Sequence, residues 1–528
     1  MFDIIIKNGT IIDGSGNKMF MDDIGIKEKK IKEIGDLRNE KADVVIDAKG
    51  QYVTPGFVDV NNHSDTYWRI FLDPNLPSLV HQVITTIIGG NCGSSLAPLA
   101  NKNIIQTIQK WADIKLVNLN WLSMKEFLKE LENRKIALNF ASLTGHSTLR
   151  RGIMGDKVDR LSDYGLKSMK KMLERSMKDG SLGFSTGLVY THAKLASKHE
   201  IVEMAKIVKK YNGVYTTHIR GESEELLEAV MEAIDVAKES GVNLQISHLK
   251  AMGKKSWPLF AKALKLIEKA NKEGIKVNFD VYPYTTTGSV LYVLLPDWVA
   301  EGGKNMMVHR LKDPVIKEKL LKEMKESGYD YSKVVVSISP LDRTLSRKRI
   351  VDIAKAQGRS VEETIIDILI ASEGRVITMM EVLSEDNVIK AIKNPLSIIS
   401  TNGSGYNIKH GGSGELVHPR NFGSFPRILA KYVKEKKILS WEEAIHKMSG
   451  KPASKFNLKN RGIIKEGNFA DITIFNPKTV EDLATPENHY QYSRGINYVI
   501  VNGKVVLENG EHKNIKAGEV IRRKSGLF

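Results

Sequence analysis

Hydrophobic positions follow two different periods along the chain. Residues 1 to about 54 carry short alternating runs, DIIIKNGTIID, DDIGIKEKKIKEIG and DVVIDAKGQYVTP, broken by Gly with Asp or Asn. A repeat of two sends alternate side chains to opposite faces, so these runs predict half-buried β-strands. ADITIFNP, NYVIVNGKVVLENGEH and EVIRRK near the other end have the same character. Both termini therefore predict pieces of one small β-sandwich that the centre of the chain interrupts. In VNGK at 501–504, Asn-Gly supplies the positive φ angles of a type I′ hairpin turn.

In the centre, apolar runs alternate with helix-length amphipathic stretches. The runs are VTPGFVDV (53–60), ITTIIGGN (84–91), ALNFASLTG (137–145), SLGFSTGL (181–188), GVYTTHI (213–219), NLQISHL (243–249), KVNFDVYPY (276–284) and PLSIISTNG (395–403). MKEFLKELENRK and HEIVEMAKIVKKYN are among the helical stretches between them. Strands alternating with helices predict a parallel sheet, and eight such units predict a closed (β/α)8 TIM-like barrel, an α/β fold. The expected organisation is residues 1–54 and 456–528 in the sandwich and 55–455 in the barrel. Residues 285–394, far longer than one helix and containing the strand-like VVVSIS, predict an insertion over the barrel mouth. The Gly-rich NGSGYNIKHGGSGELVHPR (402–420) has little capacity for regular structure and suits a mobile lid.

The composition changes this picture little. With 528 residues, 41% of them hydrophobic, the chain can bury a large core. Its formal charge of +17 invites a nucleic-acid partner, but the basic excess is spread over surface-helix segments such as KEKLLKEMKESG, so none is expected. No apolar run approaches the ~20 residues of a membrane span, and the first residues alternate like a strand rather than a signal peptide, so a cytoplasmic protein without a membrane partner is expected. The single cysteine, Cys92, excludes an intrachain disulfide; its role is packing, metal ligation or reactivity.

Every barrel run carries polar residues or glycine in its last few positions, where such a barrel places its chemistry. Cys92 in GGNCGSS, His218 in YTTHIRGE and His248 in QISHLK fall at the ends of three predicted strands. A thiolate with two neutral imidazoles is a borderline-soft set suited to Zn²⁺ and leaves the fourth tetrahedral position open, as a catalytic site requires.

From KNGTIIDGSG through PGFVDV, GGNCGSSLAP, TGHSTLRRGIMG, GSLGFSTGLVY, YTTHIRGE, ISHLK, DVYPYT and HPRNFGSFPRIL to YSRGINYVIVNGKVV, the chain resembles the D-aminoacylases, or N-acyl-D-amino-acid deacylases, of the amidohydrolase superfamily. The resemblance implies a barrel flanked by a sandwich from both termini, and one tightly held zinc on Cys92, His218 and His248. It implies a small N-acylated amino-acid substrate, hydrolysed to a carboxylate and a free D-amino acid. Arg420 of the HPR motif would hold the substrate carboxylate, since a guanidinium fork matches it. Lys250 and Tyr190 would face the substrate, with Tyr282 and Ser289 as helpers. His146 would fix the site by hydrogen bonding or be a structural histidine. Oligomeric state and side-chain specificity stay open.

Two positions depart from the family pattern. Where it has His-x-His on strand one, this chain has Asn61-Asn62-His63, and where it has Ser-Asp-Gly on strand eight, this chain has Thr401-Asn402-Gly403. Both changes put a neutral amide, a poor Zn²⁺ ligand, on the side of a second, weaker metal, which is therefore expected to be weak or absent. His63 is left as a weak ligand or hydrogen-bonding group. Asn402 stands where the family has its general base and cannot carry a proton, so a catalytically impaired zinc-binding homologue and a cyclic-amide hydrolase are the alternative readings. Asp65, two residues past His63, is the first candidate replacement base; Glu222, four residues after His218, is a weaker one and is expected rather to pair with Arg220.

Overall fold

A computed structural model describes residues 1–101, 119–155, 157, 159–301, 303–327, 329–339, 341–486 and 488–523. Its centre is built on eight strands: β1 (Phe57–Asp59), β2 (Ile84–Gly89), β3 (Asn139–Ser142), β4 (Gly183–Gly187), β5 (Val214–His218), β6 (Asn243–Ile246), β7 (Val277–Val281) and β8 (Ser397–Ile399). Pairing is parallel throughout, β1 with β2 and β2 with β3, then β4 through β8 in sequence order. The chain breaks pairing at Leu143, and Thr144–Gly145 then takes up β4, which joins the two parallel sheets. Past the strand ends, a parallel bridge between Asn62 and Gly403 brings β1 and β8 together. This order is consistent with a TIM-like barrel.

The helices follow their caps and apolar stripes. Met124–Arg134 starts at a capping box between Ser123 and Glu126, and its buried Phe127 meets Phe140 of β3 edge-on. Lys198–Lys210 is capped by Ser197. Burying each such Phe or Leu stabilises the layer by roughly 1.5–3 kcal/mol.

Strands from both termini share a seven-stranded sheet, in which Tyr52–Pro55 lies antiparallel to Ile472–Phe475. A four-stranded sheet beside it contains Phe2–Lys7, Asp23–Lys27, Lys30–Gly35 and Ala42–Asp47. VTPGFVDV, predicted as one strand, is two: it leaves the terminal sheet at Gly56 and enters β1. A Cβ on Gly56 would lie 2.1 Å from Thr85 Cγ2, so the crossing needs glycine. The Asn-Gly hairpin forms as expected, with φ of 47° at Asn502 and 75° at Gly503. EVIRRK does not join the sandwich. The Phe140 amide donates to Glu519 O at 2.9 Å and the Ile521 amide to Phe140 O at 2.7 Å, which lays this segment along β3.

Between β7 and β8, Thr286–Val290, Val334–Ile338 and Ile377–Glu381 form an antiparallel sheet, the last strand central, over its own apolar cluster. The Gly-rich stretch is more regular than its composition predicts: Ile408–Ser413 is a 3₁₀ helix. Tyr492 Oη accepts from the Ile408 amide at 3.2 Å, Tyr490 Oη donates to Glu415 O at 3.0 Å, and the Leu416 amide donates to Ser337 O at 2.9 Å. Among the described residues no helix is long and apolar enough to cross a membrane.

Candidate metal centre and substrate cavity

The polar strand ends surround one cavity of about 110 Å³. At its floor, one ligand atom each of Cys92, His218 and His248 lies within 4.8 Å of the others, and all three residues are buried. His248 Nε2 is 3.5 Å from Cys92 Sγ, and the two imidazoles meet edge-on with centroids 4.3 Å apart. Local backbone makes this possible. Cys92 and His248 sit in the left-handed region at φ 52° and 36°. Gly90 turns the chain ahead of Cys92 at φ 74°, where a Cβ would come 2.2 Å from Leu143 O. The donor set and its convergence fit a divalent metal of zinc type.

Glu222, assigned from the sequence to Arg220, belongs to this centre instead. Its Oε1 lies 3.3 Å from both His218 Nε2 and His248 Nδ1 and accepts from Lys250 Nζ, which is itself 3.0 Å from His248 Nδ1. Arg220 pairs with Glu232 at 2.8 Å. Burial opposes the Glu222 charge, yet His218 and Lys250 override it and hold the carboxyl well below the usual range. Burial, then the Lys250 charge, keep His248 well below an ordinary histidine. The four-residue spacing from His218 was the one sequence signal for Glu222.

His63 lines the cavity and donates from Nε2 to Asn402 Oδ1 at 2.9 Å; the same nitrogen is 4.0 Å from Cys92 Sγ. Asn402 has φ 46°. Asn61 is fully buried, its amide donating to Asp280 Oδ1 at 3.1 Å while its Oδ1 has no partner among the described residues. Asp65 does not line the cavity. Its carboxylate accepts from the Gly90 amide at 2.7 Å, just past the end of β2, and burial, opposed by backbone N–H donors, pushes its pKa up to about 6. It is therefore misplaced for the base suggested from its spacing. His146 is likewise remote from the metal centre: its Nε2 is 2.7 Å from Glu200 Oε1, which Arg150 also binds, so of the two expected roles the structure favours the structural one.

Tyr190 lines the cavity with its ring edge-on to His218, centroids 5.1 Å apart. Lys250, Ser289 and Arg420 also face it. Tyr282 stands behind Arg420, its ring centroid 5.1 Å from the guanidinium carbon, and its hydroxyl donates to Thr287 Oγ1 at 3.2 Å. It braces the arginine from outside the cavity. Arg420 is 9% exposed, and its Nε and Nη1 have no hydrogen-bond partner among the described residues. His418, missed in the sequence despite its place in HPR, fixes the arginine's backbone: its Nδ1 accepts from the Arg420 amide at 3.0 Å and its Nε2 donates to Thr286 O at 2.9 Å. Burial, then Arg420, keep this histidine well below its ordinary pKa.

The chain belongs to the amidohydrolase family, whose model matches residues 44–356 and 416–507. Within that class it is 31% identical to the D-aminoacylase of Alcaligenes xylosoxydans xylosoxydans, over 99% of this chain and 98% of that protein. A crystal structure of D-aminoacylase matches with a TM-score of 0.83 at 29% identity, over 99% of this chain and 100% of that one. The N-acyl-D-glutamate deacylase of Bordetella bronchiseptica, complexed with zinc and a phosphonate mimic of the tetrahedral intermediate, matches with a TM-score of 0.82 at 26% identity over 99% of both chains.

Proposed function

We propose that the protein is a metal-dependent hydrolase that cleaves the amide of an N-acyl-D-amino acid to a carboxylate and a free D-amino acid. One observation carries this reading: a convergent Cys92, His218 and His248 set shares its cavity with the Arg420 guanidinium, whose Nε and Nη1 are unbonded among the described residues. A single zinc would be held by those three side chains and would polarise the acyl carbonyl and acidify water. A second metal finds little support, since Asn61 and Asn402 both offer only a neutral amide.

Arg420 presents one edge of its guanidinium to the α-carboxylate and so sets which face of the substrate meets the metal centre. Tyr282 and His418 keep the guanidinium and its backbone in place. Asn402, held by His63, orients water through its amide but takes up no proton, so turnover is slower by about 10² to 10⁴ than with a carboxylate there.

The test is release of free amine from a panel of N-acetyl-D-amino acids and their L enantiomers by the full chain supplied with zinc. Turnover selective for the D series is expected. Silence across the panel with zinc demonstrably bound, or equal use of both enantiomers, would remove the proposal.

A further inference from the structure

Asn402 precedes Gly403, the pairing in which a main-chain nitrogen most readily closes on a side-chain amide. The structure surrounds this pair with groups suited to that reaction. The Gly403 amide donates to Thr401 Oγ1 at 2.9 Å, and the Thr401 hydroxyl donates to Asp59 Oδ2 at 2.5 Å, a two-step path for a proton from the nitrogen to a carboxylate. Asp59 is fully buried. Burial, opposed by the bonds from Thr401 and Asn62, raises its pKa to about 6, so it is ionised at neutral pH and more basic than an ordinary aspartate. On the other side, His63 Nε2 donates to Asn402 Oδ1 at 2.9 Å and polarises the side-chain carbonyl as an oxyanion donor does. Asn402 and Gly403 both line the cavity, which lets water in and ammonia out.

Four other Asn-Gly pairs show what is particular to this one. Asn8, Asn212, Asn502 and Asn509 share its left-handed backbone, with φ of 60°, 49°, 47° and 50° against 46° at Asn402. Backbone conformation therefore does not single out position 402. The partner of the glycine nitrogen does. Gly213 and Gly503 donate to main-chain carbonyls, Val208 O and Ala470 O, each at 2.9 Å, and a carbonyl cannot pass a proton on.

We infer that this chain deamidates itself at Asn402, and that the aspartate so formed is the proton carrier that the translated amide cannot be. The Gly403 nitrogen attacks Asn402 Cγ while its proton passes through Thr401 Oγ1 to Asp59. The Cγ–Nδ2 bond then breaks, Asp59 returns the proton to the departing nitrogen, and ammonia leaves a cyclic imide. Water adds at Cγ, and the bond from Cγ to the Gly403 nitrogen opens to restore the main chain. In sum, asparagine and water become aspartate and ammonia. The His63 bond to Oδ1 directs water to Cγ rather than to the main-chain carbonyl, so aspartate forms in preference to isoaspartate. The modification stands apart from the deacylase reading; its effect on turnover rests on that reading.

The full chain, purified quickly in the cold, would be incubated at neutral pH in heavy-oxygen water and residue 402 followed by peptide mass, beside the same chain unfolded in urea. Aspartate carrying heavy oxygen is expected to appear at least about tenfold faster in the folded chain, and ahead of the other four Asn-Gly pairs. Intact asparagine, faster conversion in urea or isoaspartate as the main product would overturn the inference. Thr401→Val removes the proton path and is expected to slow conversion by about 10² or more, while Thr401→Ser stays close to the parent. Thr401→Val as fast as the parent would overturn the part given to Thr401 and Asp59. Amine release from N-acetyl-D-norleucine is read on the same samples, against chain whose mass shows the amide intact. It is expected to rise in step with conversion to the level of Asn402→Asp. Conversion without that rise, where Asn402→Asp is active, overturns the second half of the inference and leaves the first. If Asn402→Asp is itself silent, the deacylase reading falls and the mass measurement still decides the modification.

Discussion

At position 402 an amide stands 2.9 Å from the His63 imidazole, at the edge of the cavity where water and a leaving amine must exchange a proton. A carboxylate of nearly the same shape would make that exchange. Asn402→Asp is therefore expected to raise kcat for amine release by about 10² to 10⁴; a rate unchanged or lowered would show that the amide is not what limits this site. Asp65 has a different consequence. Its folded pKa of about 6 exceeds the ordinary value of 3.8, so the native state holds this proton more tightly than the unfolded chain. The ionised group costs no stability below pH ~4; the cost grows as pH rises to ~6 and is complete above it. Asp65→Asn should gain on the parent protein by roughly 3 kcal/mol between pH 4 and 7, whatever constant offset the substitution brings, as read from paired denaturant titrations. At this scale the sequence was informative where a residue type had few alternative uses. Cys92, His218 and His248 stood at predicted strand ends, and their ligand atoms converge. Asp65, His146 and Glu222 were harder, because carboxylates and imidazoles serve as readily in buried brackets as in chemistry, and the partner that decides is distant in sequence, as Glu200 is from His146.

At the scale of elements, hydrophobic period located the strands but not their breaks. VTPGFVDV and ALNFASLTG each read as one apolar run, yet the first changes sheets at Gly56 and the second changes partners at Leu143. Those breaks depend on what lies opposite, Thr85 for Gly56, and a single-chain pattern does not carry it. The Gly-rich stretch was misread for a related reason. Its own residues propose no structure, but Tyr490, Tyr492 and Ser337 supply partners from elsewhere. One of those bonds can be removed cleanly. Leu416→Pro deletes the amide that donates to Ser337 O, so protease cleavage within residues 407–415 is expected to accelerate and KM to rise more than kcat falls. Metal content should stay at that of the parent; a loss of metal would mean that the damage had spread to the barrel.

For the whole molecule, the alternating runs at both ends foretold a shared sheet, because two edges of the same character have each other to pair with. The route of the last residues along β3 was not legible, since the partner that decides it, Phe140, is distant in sequence. Tyr52–Pro55 borrows a partner from Ile472–Phe475 and runs through one residue into β1 and on to His63. A chain ended at Asn468 is therefore expected to lose its cooperative thermal transition and its bound zinc together, whereas one ended at Arg523 should keep both. The left-handed backbone at Cys92 and His248 sets a limit of another kind. A bulky L-residue held there costs of order 1–3 kcal/mol, which glycine would largely relieve. In the metal-free protein Cys92→Gly is therefore expected to relieve this strain, while it forfeits the metal and the stability a bound ion adds. Durability and chemistry compete in this barrel at two peptide units, and a thermostable descendant that keeps both side chains must draw its added stability from elsewhere.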